Sequence, residues 1–332
     1  MRIVVTGSLA YDYLMTFPGR FREHLLQDRM HRLTVSFLVD DMRRLRGGVA
    51  GNIAYSLALL GQRPLLVATA GDDFAEYRTA LETTGVDTSW VKVMPGTFTA
   101  SCFVNTDLDA NQLVAFFAGA LAHAQLASLD ALGLGQTDLV VVSPADPAAM
   151  EATVDGCLRA SVPYVFDPGK QTPRLDAEQI LRGMETAAVV VGNDYEFGLM
   201  SQKTGRSEAA LQAVAPVTVV TRGELGSTVL VRGQAPLDVP TAPIRALVDP
   251  TGAGDAYLAG LVFAVAEKLP WPVAGRVAAL SAAYAIEVRG CQEHRYTPDQ
   301  FLERYASAFG AAPELERALA AAPVRGPAPA PR

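Results

Sequence analysis

Asp249-Pro250-Thr251-Gly252-Ala253-Gly254-Asp255, running straight into the apolar stretch Ala256–Ala266, is the segment from which the rest of the chain can be read. Glycines at 252 and 254 let the backbone turn sharply and aim successive N–H groups into one concavity. The helix predicted by the apolar run adds its positive N-terminal end to that concavity. Gly252, Ala253 and Gly254 then form an anion hole for a phosphoryl group gathering charge in a transition state. Asp255, at the helix start, is placed to take the proton of an attacking hydroxyl, as the base does in phosphoryl transfer. The same residues also describe an Asp capping a helix behind a glycine-rich loop, with no chemistry at all. Only the surroundings separate the two readings.

Around this segment, short β-branched runs alternate with helical patterns. Ile3–Thr6, Leu65–Thr69, Leu139–Ser143, Tyr164–Phe166, Ala188–Val191 and Val217–Thr221 are brief and apolar, as strands buried on both faces must be. Asn52–Leu60, Pro147–Ala160 and Ser207–Ala213 read as helices between them. The alternation predicts an α/β fold with a doubly wound, mostly parallel sheet, whose ligand lies at the carboxyl ends of the strands. Two regions break the rhythm, at about 11–46 and 97–120. In them Leu33–Val39, Thr97–Val104 and Gln112–Ala118 read as extra strands, either a small lid over the body or ordinary edge strands. Residues 1–320 are thus expected to form one α/β unit with a discontinuous lid. The Ala/Pro-rich stretch 321–332 reads as a disordered tail.

Composition narrows the class. Of 332 residues, half are hydrophobic and 19% charged, so a large core is available, and the net charge of −7 argues against nucleic-acid or anionic-membrane partners. No apolar run approaches the ~20 residues that span a bilayer, and the first residues lack a signal-peptide core. Three scattered cysteines, Cys102, Cys157 and Cys291, have no metal-ligand spacing and suit a reducing compartment, so the expected location is cytoplasmic. The histidines at 24, 31, 123 and 294 form no metal or triad pattern and are expected at the surface. Neither a Walker A loop nor G-x-G-x-x-G after the first strand occurs, which disfavours P-loop kinases and Rossmann dehydrogenases.

With Asp249–Asp255, further stretches complete a recognisable set: Gly47-Gly48-Val49-Ala50-Gly51-Asn52, Asn193-Asp194-Tyr195-Glu196 and Thr221-Arg222-Gly223-Glu224-Leu225-Gly226. In this order and over nearly the whole chain, they resemble the signatures of the ribokinase-like, or PfkB-type, carbohydrate and nucleoside kinases. Pro250 departs from the Thr or Ser more usual there, but it lies outside the glycine turn. The resemblance implies ATP-dependent transfer to a hydroxyl with Asp255 as base. Sugar hydroxyls would be held by Asp12, Gly48 and Asn52, with Ser8 as a further contact. ATP would lie along Thr221, Arg222, Gly223 and Gly226. Asn193 and Glu196 would order Mg²⁺ through water, since Mg²⁺ keeps much of its hydration. Their spacing equally fits a helix-capping pair. Lys170 and Arg222 are available to neutralise phosphate, and a solvated surface cation describes each as well. Some family members are activated by a monovalent cation such as K⁺, and lid strands in the family often pair between subunits, so a homodimer through the lid stays open.

Substrate choice is read from several stretches that are similar to bacterial adenosine kinases: Val5–Ala10 leading to Asp12, Phe17–Phe21, Ser36–Asp41 running into Arg46–Asn52, and Phe116–Ala120. Ser36 joins the substrate-side candidates on that basis. By the same resemblance Phe103 and Phe117 sandwich a purine, whose stacking is worth about 1–3 kcal/mol per base. Gln171 would read the adenine edge bidentately. Simple packing of lid strands explains the phenylalanines too, and a surface loop explains Gln171. The expectation is adenosine to AMP, with a ribose- or fructose-type sugar kinase, or a non-catalytic nucleoside or sugar sensor, as the alternatives.

Overall fold

Residues 1–24 and 34–321 are described by the computed structural model of the chain. The strands, in chain order, are β1 (Arg2–Thr6), β2 (Ala10–Thr16), β3 (Asp41–Gly47), β4 (Leu65–Ala70), β5 (Asp87–Val93), β6 (Ala100–Thr106), β7 (Gln112–Phe117), β8 (Asp138–Val142), β9 (Tyr164–Phe166), β10 (Val189–Asn193), β11 (Val217–Thr221), β12 (Ser227–Val231) and β13 (Leu237–Val239). Nine of them make one sheet in the order β13-β12-β11-β10-β9-β8-β1-β4-β5. It is parallel from β11 to β5, and at the other edge the β11–β12 and β12–β13 pairings are antiparallel. The doubly wound α/β body is as the sequence predicts.

Alternation along the strands builds a core on each face. Ile3, Val5, Leu139 and Val141 pack into one cluster with the buried helices Ala253–Ala266 and Trp271–Ile286. Val4, Val140 and Val142 pack into the other. This is what a period of two does in a sheet covered on both sides. The strand order reverses at β1, which pairs with β4 on one side and β8 on the other. Such a reversal opens a crevice at the carboxyl ends. Its floor is stitched by Ser143 Oγ donating to Thr6 O at 2.6 Å and the Ser8 N–H donating to Pro144 O at 3.1 Å.

A second sheet, β3-β2-β6-β7, is the small lid. The first of the expected lid segments, Leu33–Val39, is a correction to the sequence reading. Leu33 lies outside the described residues, Thr34–Val39 has no regular structure, and the strand is the charged run Asp41–Gly47. Phe37 instead joins a ring cluster with Phe17 and Phe21, centroids 5.0 and 4.9 Å away. Charges suit an edge strand, which must resist pairing with other chains, and Arg44 gains a stack over the Tyr11 ring at 4.7 Å. His294 is a second correction, being buried rather than at the surface, whereas His24 and His123 are exposed. Of the tail expected at 321–332, all but Ala321 lies outside the described residues, as does His31.

Candidate active site

Gly252 stands at φ +81°, a left-handed backbone that ends the loop and starts the helix Ala253–Ala266. Glycine takes this conformation without a Cβ penalty. The loop before it is pinned by Asp249, whose carboxylate accepts from the Thr251 N–H at 2.9 Å and the Gly290 N–H at 3.1 Å. Burial alone would push Asp249 up, but these donors outweigh it and hold the group below the ordinary carboxylate value. The Ala253 N–H turns back to Pro250 O at 3.3 Å. Among the described residues no acceptor meets the N–H groups of Gly254 and Asp255, and the space beside Gly254 is open. Of the expected donors Gly252, Ala253 and Gly254, Ala253 is thus spent inside the turn, and the helix start offers the Gly254 and Asp255 N–H groups to an anion instead.

Asp255 is partly exposed at the head of that helix. Its Oδ2 accepts from Asn52 Nδ2 at 2.7 Å. Burial raises its pKa to about 6, aided by the charges of Asp12 and Glu196 and opposed by the Asn52 bond and by Lys170. Asp12, on β2, faces the same cleft; burial raises it, Lys170 lowers it and Asp249 raises it. Lys170 is an exposed residue of the turn after β9, and its charge acts on Asp12, Asp255 and Glu196 alike. Asp167 is driven well up by burial and by Glu196 and Asp255. Four carboxyls thus influence one another here, three of them under the charge of Lys170, and perturbed titration of this kind clusters at functional sites.

Helix Val49–Leu59 opens at Gly48, φ +85°, where a Cβ would come within 2.6 Å of Ala10 N and Ser8 O. Ser8 Oγ accepts from the Val49 N–H at 3.1 Å, so it fixes the helix start. Asn52 was expected to meet a sugar hydroxyl. It is buried, donating to Asp255 and accepting from Gln292 Nε2 at 2.8 Å. Gln292 was missed by the sequence reading, and no local signal marks it; it lies 240 residues from its partner.

Lid register corrects the aromatic expectation. Leu45, Asp12, Cys102 and Phe116 are cross-strand neighbours, as are Arg43, Leu14, Val104 and Val114. Directly opposed residues share a face, so Phe116 lies on Asp12's side of the sheet. Phe103 and Phe117 point to the other side, and Phe103 stacks on Tyr13 with centroids 4.7 Å apart. Gln171 accepts from Arg174 at 3.3 Å. Ser36 is an exposed residue without regular structure.

Asn193 and Glu196 form a full capping box, each side chain accepting from the other's N–H at 2.8 Å. Thr221 is Asn193's neighbour in the parallel register, and Gly223–Leu225 forms a single turn closed by Arg222 N–H to Gly226 O at 2.8 Å. Arg222 itself pairs with Asp238 at 3.0 Å rather than standing free.

The model of the pfkB family of carbohydrate kinases matches residues 5–298. The chain belongs to this family. It is accordingly a phosphotransferase with an alcohol group as acceptor. A Burkholderia thailandensis nucleoside kinase solved in complex with inosine is 36% identical, covering 93% of this chain and 98% of that one, with a TM-score of 0.81. The same enzyme in complex with ADP-inosine is 37% identical at a TM-score of 0.79, over 93% and 96% of the two chains. A nucleoside kinase of Methanothermobacter thermautotrophicus is 28% identical over 94% of this chain and 98% of its own length. Ribokinase from Cryptococcus neoformans, 21% identical with a TM-score of 0.75 over 91% and 99%, shares the fold. Among the described residues no helix is long and apolar enough to cross a membrane.

Proposed function

We propose that this pfkB-family chain transfers the γ-phosphoryl of Mg-ATP to the 5′-hydroxyl of a purine nucleoside, taking adenosine to AMP and inosine by the same route. The observation that carries this reading is the pairing of Asp255, beside two unengaged N–H groups, with Asp12 on the facing lid strand. Asp12 would accept from the ribose diol, and the 5′-hydroxyl would reach Asp255. Deprotonated above about pH 6, Asp255 takes the proton as the oxygen attacks, while the Gly254 and Asp255 N–H groups meet the phosphoryl oxygens. Phe116 stands two strand spacings from Asp12, about 9–10 Å, a span comparable with the length of a nucleoside. The lid face there, Leu14, Cys102, Val104, Val114 and Phe116, is apolar and gives a base a surface to stack on without selecting its edge. That supports breadth among purines. The inosine-bound relative supports it as well.

Mg²⁺ fits the donor set. Glu196 Oε2 is engaged by the Asn193 N–H, no donor among the described residues meets its Oε1, and its charge raises the pKa of both Asp167 and Asp255, as Asp255 does that of Asp167. Glu196 and Asn193 would hold it through water. When bound, Mg²⁺ would neutralise phosphate charge. Release of ADP is the test, across adenosine, inosine, guanosine, ribose and fructose. Adenosine and inosine are expected to turn over with the highest kcat/KM. Turnover on ribose or fructose alone would keep Asp255 and remove the nucleoside.

A further inference from the structure

We infer that Gln292 is a positioning residue: it holds the Asn52 amide in the one orientation that presents its NH₂ group to Asp255. The inference rests on the reading of Asp255 as the base. Gln292 lies in the loop after the helix Trp271–Ile286 and is 1% exposed. Its Nε2 donates to Asn52 Oδ1 at 2.8 Å and also to the Tyr77 hydroxyl. Tyr77 is fully buried and donates its own hydrogen to the Gly47 carbonyl at 2.8 Å.

The direction of every bond follows from that carbonyl. Gly47 O can only accept, so the single Tyr77 hydrogen is committed to it. The Tyr77 oxygen is then left as an acceptor, and the Gln292 group facing it must be the NH₂. The second hydrogen of that NH₂ requires Asn52 to present Oδ1. Asn52 Nδ2 is thereby turned to Asp255, 2.7 Å from Oδ2. Reversing Asn52 would set NH₂ against NH₂ inside a buried site and carbonyl oxygen against carboxylate.

The consequence is chemical. A donor beside Asp255 favours its charged form. Burial is the main force raising Asp255, and the Asn52 bond is the first force opposing it. The remaining charged groups around Asp255 are Asp12, Glu196, Lys170 and Asp167, with the Cys291 thiol, held neutral by burial, beside them. Gln292 makes no hydrogen bond to any of them, and only Cys291, its chain neighbour, adjoins it, so substituting the Gln292 side chain leaves the four charged groups in place. The base is thus kept ready to receive a proton by a residue that touches neither substrate nor Asp255.

The experiment compares the full-length protein with Gln292→Met, Gln292→Glu, Tyr77→Phe and Asp255→Asn, measuring kcat/KM for adenosine from pH 5 to 9. Thermal melts check folding. Gln292→Met keeps the volume and removes the constraint, and its acid limb is expected to move up by about half a pH unit. Gln292→Glu places an acceptor opposite Asn52 and draws its NH₂ away, so a rise of roughly one unit is expected. Tyr77→Phe, which cuts the chain further back, should give a smaller rise in the same direction and serves if either Gln292 variant fails to fold. In each, activity should return towards the wild-type value at pH 9. Activity lowered equally at every pH, with the limb unmoved and Asp255→Asn inactive, overturns the role of Gln292 and leaves Asp255 as base. Normal turnover by Asp255→Asn overturns Asp255, and the inference with it.

Discussion

Asp255→Asn is expected to make the enzyme slower and the fold more stable at once. The substitution is nearly isosteric, and its amide oxygen can still accept from Asn52 Nδ2, now 2.7 Å from Oδ2. What it loses is the basic oxygen. Removing a positioned general base costs about 10²–10⁴ in rate, or roughly 3–5 kcal/mol at ~1.36 kcal/mol per decade. The stability gain follows from the raised pKa. Asp255 titrates at about 6 when folded, against an ordinary value of 3.8. The native state therefore binds this proton more tightly than the unfolded chain, and wild-type stability falls as pH rises between those two values. Above pH 6 the full penalty is present. Two units would be ~3 kcal/mol, and because the group is partly exposed, about 1–2 kcal/mol is the better figure. For a chain of this length that is a rise in Tm of roughly 1–3 °C at pH 7.5, shrinking to nothing below about pH 4. Single-turnover kinetics with adenosine and calorimetry at the two pH values read both effects. Turnover within tenfold of wild type would refute the base; a lower Tm at pH 7.5 would refute the electrostatic argument.

Other substitutions separate the faces and turns of the site. Phe116→Ala should raise KM for adenosine about 5- to 100-fold from the loss of base stacking, with kcat little changed, whereas Phe103→Ala should leave KM within a factor of two or so; steady-state kinetics on the pair would reveal a reversed order. Gly48→Ala forces an L side chain into φ +85° and against backbone 2.6 Å away. A loss of more than about 1–3 kcal/mol is expected by chemical denaturation, and an unchanged midpoint would show that the helix start yields more easily than its geometry allows.

Local chemistry was legible early. Short apolar strands identify themselves because both faces of the central sheet are buried, so β1, β4, β8, β9, β10 and β11 needed no partner to be recognised. The loop Asp249–Asp255 was legible for a similar reason: two glycines, an acid and an apolar helix act within a few residues of one another. Strand β3 was not, because four of its seven residues, Asp41, Arg43, Arg44 and Arg46, are charged and its stability comes from pairing with β2 and from Arg44 over Tyr11. Propensity reads a strand's own residues and is blind to a neighbour's ring.

By itself, the sequence determined the α/β class, the glycine turn with Asp255 at its end, and the order of the family's motifs along the chain. All of these rest on contacts between near neighbours. Tertiary structure alone decided which aromatic faces the cleft, since a strand's side chains alternate and a shift of one residue exchanges Phe116 for Phe117. It alone decided that Asn52 meets Asp255. The hydrogen bond that sets its direction comes from Gln292, brought to it across 240 residues by the packing of the body.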